Sequence, residues 1–119
     1  METVEFLQGT LSFEPTRYQP ATTKVDAFAV RPGDNLIVIE DAIVFVRGYD
    51  VIFLNGDHNL QQVSVNLNVV ISDDGKRASV EGQLFLSDSN GDDPFQGTIS
   101  YGLAIRTKQQ VYFAPPITY

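Results

Sequence analysis

Residues 62–87 read QVSVNLNVVISDDGKRASVEGQLFLS. Val63, Val65, Leu67, Val69 and Ile71 alternate with Gln62, Ser64, Asn66 and Asn68. That is the period of a strand with one apolar and one polar face. Ala78, Val80, Gly82, Leu84 and Leu86 repeat the pattern against Ser79, Glu81, Gln83 and Ser87. Between the runs, Gly75 can take the positive φ of a tight hairpin, and Asp73 and Asp74 suit its other corners. The two runs are therefore expected to pair antiparallel, with Asn66 and Asn68 across from Gln83 and Glu81.

The same period extends in both directions. Ile99, Tyr101, Leu103 and Ile105 alternate with Thr98, Ser100, Gly102 and Arg106. The upstream run AIVFVRGYDVIFL (42–54) is apolar on both faces in parts, and Gly48 within it marks a bulge or bend. Leu36–Ile39 follows Arg31-Pro32-Gly33-Asp34, which reads as a turn. Val4–Phe13, Val25–Val30 and Val111–Phe113 complete the set of strands. No helical period appears. The pattern predicts an all-β fold, an antiparallel β-sandwich of about seven or eight strands, with an up-and-down β-barrel as the alternative. The runs from Ala42 to Thr107 are expected to form a meander, and Pro15–Thr23 a long irregular loop. Residues 1–119 read as a single domain.

Composition narrows the function. With 43% apolar residues the 119-residue chain can build a core. Fifteen acids against eight bases give −7 and a pI near 4.4. Nucleic acid and anionic membranes are unfavourable partners for such a surface. The chain has no cysteine, so disulfides, zinc thiolates and cysteine nucleophiles are excluded. No run approaches the ~20 apolar residues of a membrane span, and METVEFLQGT lacks a basic leader. A cytoplasmic location is the expectation.

The candidate sites come from short polar clusters. SDSNGDDPFQG (87–97) places Asp88, Asn90 and Asp92 at alternate positions with Asp93 beside them, an oxygen-rich set suited to calcium. It departs from the EF-hand pattern, because Gly91 is misplaced and Ile99 stands where the closing Glu belongs. A polar turn explains the same residues. Beyond that calcium candidate no cofactor is expected. His58, the only histidine, lies between Asp57 and Asn59. An Asp beside a His is half of a general-base arrangement, but no nucleophile motif accompanies it. Tyr49 stands among Gly48 and Asp50, and Asn66 and Asn68 line a polar strand face. Tyr rings beside amides and carboxylates can bind sugars. The phenylalanines in strand runs read as core. The tail QVYFAPPITY is apolar and suits docking on its own sheet or on a neighbour.

Three functions follow. The first is a non-catalytic, lectin-like module binding carbohydrate through Tyr49, Asp57, His58, Asn59, Asn66 and Asn68. The second is an oligomeric assembly subunit, with protein as partner, acting through strand edges and the tail. The third is an enzyme using carboxylates.

Overall fold

The computed structural model describes residues 2–16, 19–54, 60–88 and 94–110. Six strands run β1 (Glu2–Thr16), β2 (Ala21–Ala29), β3 (Ile37–Phe53), β4 (Leu60–Ile71), β5 (Arg77–Asp88) and β6 (Phe95–Gln109). They form two three-stranded antiparallel sheets, β1-β6-β3 (sheet A) and β2-β5-β4 (sheet B). The fold is an all-β sandwich, as the period-two pattern predicts. The sheets stay separate, so the barrel alternative is set aside.

Six strands rather than seven or eight are described, for identifiable reasons. Leu36–Ile39 and Ala42–Leu54 are not two strands. Register shifts between Ile39 and Asp41 and between Val46 and Gly48 carry one chain through both runs. β3 is thus 17 residues, about 55 Å at the usual strand rise, with bulges where Glu40 and Arg47 are extra. Val111–Phe113 lies outside the described residues. Pro15–Thr23 is also shorter as a loop than expected, because β1 reaches Thr16 and β2 begins at Ala21.

The expected meander does not form. β4 and β5 pair as the hairpin read from the sequence, with Asn66 opposite Gln83 and Asn68 opposite Glu81. β6 instead leaves β5 and crosses to sheet A, where it pairs with both β1 and β3. Alternation identifies faces, but it does not say which strands are neighbours.

The inner faces meet in one core. Leu11, Phe13, Ile99, Leu103 and Ile105 from sheet A pack with Ala78, Val80, Leu84 and Leu86 from sheet B. Each buried Val, Leu, Ile or Phe among them stabilises by about 1.5–3 kcal/mol relative to exposure. Gly82 lets the sheets approach. A Cβ there would lie 2.5 Å from Leu11 Cδ1 and 3.1 Å from Phe13 Cζ. Phe85 and Phe95 meet edge-on at 6.0 Å between centroids, a favourable aromatic geometry.

Two turns tie one end of the sandwich. Asp34 N–H donates to the Arg31 carbonyl at 3.1 Å with Gly33 at φ 98°. That is a type II turn with Pro32 and Gly33 in the positions it favours. In the β4–β5 hairpin, Gly75 has φ 72°. The Ser72 hydroxyl donates to Asp74 Oδ1 at 2.6 Å and accepts from the Arg77 N–H at 3.0 Å. The Lys76 ammonium then donates to the Asn35 carbonyl at 2.9 Å and to that of Ile37. Ile39 N–H donates to the Gly75 carbonyl at 2.8 Å. The hairpin of sheet B is thereby fastened to the entry of sheet A.

Two predictions follow from this geometry. A Cβ at Gly97 would press on the Asp50 carbonyl and on Val51, whereas one at Gly48 meets open space. Gly97→Ala should therefore cost about 1–3 kcal/mol in urea unfolding, and Gly48→Ala less than about 0.5 kcal/mol. Secondly, the hydrogen bond from Ser72, and next that from the Lys76 N–H, hold the Asp74 carboxyl below its ordinary 3.8. A depressed carboxyl stabilises the fold above its unfolded value and loses that contribution as pH falls through the folded one. Asp74→Asn should lower stability at neutral pH and flatten its fall below about pH 4, so that variant and wild type converge in acid; a wild-type-like acid limb in the variant would refute this.

Candidate protein-docking face

β6 decides which side chains of sheet A face inward. Ile99, Tyr101, Leu103, Ile105 and Thr107 are buried, so Thr98, Ser100, Gly102, Ala104, Arg106 and Lys108 face outward. The register extends that face to both neighbours. Val4 and Asp41 flank Arg106, Phe6 and Ile43 flank Ala104, and Gln8 and Phe45 flank Gly102.

This outer face is apolar where solvent should favour polar groups. Phe6 is 78% exposed, Ile43 66%, Val4 54% and Phe45 50%. Scattered exposed apolar residues need no explanation, but a contiguous set marks an interaction surface. The relief is uneven. Val4 and Phe6 stand on one side and Ile43 on the other, with the small Ala104 between them. They border a shallow, open groove of about 310 Å³ that Asp41 and Arg106 also line. Next along the strands the Phe45 ring lies on Gly102, where a Cβ would meet Phe45 Cε1 at 2.9 Å.

The charges beside the groove balance. Arg106 Nη2 lies 2.6 Å from Asp41 Oδ2, and Arg106 Nε lies 3.4 Å from Glu40 Oε2. Lys108 reaches Glu40 Oε1 at 3.7 Å. Arg47, thrown outward by its bulge, donates to Gln8 Oε1. Beside the groove, Arg106 and Lys108 are thus matched by Glu40 and Asp41. The chain as a whole carries −7, so charge is locally balanced at this end of an acidic protein.

Among the described residues, those singled out in the sequence do not converge. Tyr49 is 53% exposed on β3 of sheet A. Asn66 and Asn68 are exposed on β4 of sheet B, with Asn66 Nδ2 donating to Ser64 Oγ at 3.3 Å. Asp57, His58 and Asn59 lie outside the described residues, as do Asn90, Asp92 and Asp93. Asp88 closes β5 in sheet B and Phe95 opens β6 in sheet A, and residues 89–93 of SDSNGDDPFQG lie outside the described residues. Among the described residues no three metal-type side chains cluster, and no helix is long and apolar enough to cross a membrane.

Sequence reasoning assigned Phe6 and Phe45 to the core, and the structure corrects this. The available signal was a parity conflict. Val4 and Phe6 occupy even positions while Leu7, Leu11 and Phe13 occupy odd ones, and AIVFV is apolar at both parities. One strand cannot bury both faces in a two-layer sandwich.

No family model, curated protein or solved structure matches the chain.

Proposed function

We propose that this protein is a non-catalytic assembly subunit, a β-sandwich that associates with a second copy of itself through the outer face of sheet A. The observation that carries the reading is the exposed Val4–Phe6–Ile43–Phe45 surface. Two features favour a second copy as its occupant. Charge is balanced beside its groove, so acidic subunits repel one another least when they approach there. The face also presents a knob beside a hole. Phe6 projects next to the groove floored by Ala104, and a two-fold axis through the face lets each Phe6 fill the other copy's groove, the self-complementarity an isologous dimer requires. The balanced Arg106–Asp41 pair then serves as a polar rim.

Phe6→Ser combined with Ile43→Ser should abolish this association without unfolding the chain, since both side chains are mainly in water. The checks are mass by light scattering and unfolding by circular dichroism. A mass unchanged over a wide concentration range would overturn the reading.

A second reading keeps the carbohydrate expectation and rests on the outer face of sheet B. Thr22 and Asn66 flank Gln83, and Lys24 and Asn68 flank Glu81. Lys24 Nζ lies 3.7 Å from Glu81 Oε1, and Thr22, Thr23, Lys24, Glu81, Gly82 and Gln83 line a groove of about 370 Å³. Amides and hydroxyls in rows suit a neutral, hydroxyl-rich ligand. On a glycan array, Gln83→Ala with Asn66→Ala should reduce any signal at least tenfold; blank arrays with the wild-type chain would remove this reading.

A further inference from the structure

Among the described residues, four strand edges flank the two sheets, and three of them carry devices that discourage pairing. β3 has two bulges and the charges Glu40, Asp41, Arg47 and Asp50. β2 has a bulge at Ala27 and the charges Lys24 and Asp26. β1 carries Pro15, a register shift after Phe13, and Glu5 on its inward-facing side. Bulges, prolines, edge charges and inward-pointing charges are the means by which sheets avoid adding strands.

β4 carries none of these over Gln62–Ile71. The stretch QVSVNLNVVI has no charged residue, no proline and no glycine, and its pairing with β5 is unbroken there. In a chain of −7 with 19% charged residues, this is the edge without electrostatic protection. Its apolar face is also incompletely covered. Val63, Val65, Leu67, Val69 and Ile71 are half-buried, while their neighbours Leu86, Leu84, Val80 and Ala78 on β5 are buried.

We infer that the β4 edge pairs antiparallel with β4 of a second copy, joining two B sheets into one of six strands, β2-β5-β4-β4-β5-β2. The sequence selects the register. With Leu67 on the two-fold axis, Val65 faces the other copy's Val69 and Val63 faces its Ile71, so every apolar side chain of the inner face meets an apolar one. On the outer face Asn66 meets the other copy's Asn68, and Ser64 meets its Val70. A shift by one residue would set Asn66 against Val or Leu. The inference rests on the assembly reading above and adds a second isologous interface on a different sheet. Two such interfaces on one subunit build closed tetramers or open chains.

The test separates the two interfaces. Wild-type chain is expected to show a mass above that of two chains by light scattering. Phe6→Ser with Ile43→Ser should leave a dimer held by β4, its amides between Gln62 and Ile71 slow to exchange with deuterium. Adding Asn66→Lys and Asn68→Lys sets like charges directly opposite across the axis, and should halve the mass and speed that exchange at least tenfold. Gln83→Lys, the same charge on the same face but one strand inward, should leave the dimer intact. If the lysines halve the mass while the serine pair changes nothing, the face reading fails and the β4 pairing stands. If the serine pair alone yields a monomer with fast β4 amides, the β4 pairing is overturned. It is equally overturned if that monomer's β4 amides are slow until residues 111–119 are removed, because the edge is then occupied from within the chain.

Discussion

The structure depends on one strand pairing. β6 lies between β1 and β3 and is hydrogen-bonded along nearly its whole length to both, Lys108 aligning with Glu2 on one side and Val38 on the other. Without β6, β1 and β3 have no partner in sheet A. Its inner face, Ile99 through Ile105, also forms much of the sheet A half of the core, beside Leu11 and Phe13 of β1. The pairing is non-local, since Glu2 and Lys108 stand at opposite ends of the described chain. Loop closure must precede it, which is characteristic of slow-folding β topologies. The β4–β5 hairpin and the two turns can form earlier because their contacts are local. The hold of Lys76 on the carbonyls of 35 and 37 then sets where β3 enters sheet A.

The long strands shape both proposed surfaces. Strands of 15 and 17 residues exceed the usual five or six, and a two-layer sandwich covers only one face of each. Polar alternation handles the uncovered face along most of the molecule. It lapses in a contiguous set at Val4, Phe6, Ile43 and Phe45, and singly at Ile52 and Val70. Edge protection likewise holds on β1, β2 and β3 and lapses on β4. Both lapses occur where charge is balanced or missing, although the rest of the chain is acidic. Repulsion between copies would therefore be weakest where apolar surface and open backbone are most available, which is the physical basis of the proposed assembly.

Much of the fold is legible in the residues. The hairpin from Gln62 to Ser87, including the facing of Asn66 with Gln83, follows from alternation and from Gly75. The turn at Pro32-Gly33 and the irregularity at Gly48 follow from backbone chemistry. The candidate site is only half legible. Both-face apolarity in AIVFV and the parity conflict around Phe6 signal that something apolar must be left over. They do not say which parity the core takes, because that depends on which strands lie beside these. Tyr49, Asn66 and Asn68 were grouped by chemical type, and the structure places them on different sheets.

The sequence by itself determined the class, the strand faces, the local turns and the chemistries the chain cannot perform. These rest on interactions within a few residues: side-chain alternation, the φ of glycine and proline, and the absence of thiols. Only the tertiary structure decided that β6 joins β1 and β3, that two apolar runs merge into β3, and that Phe6 and Ile43 face solvent. Those outcomes depend on pairings between residues as many as a hundred positions apart. Such pairings are chosen by how two whole inner faces fit together, with Gly82 making room for Leu11 and Phe13, and no local pattern encodes that fit.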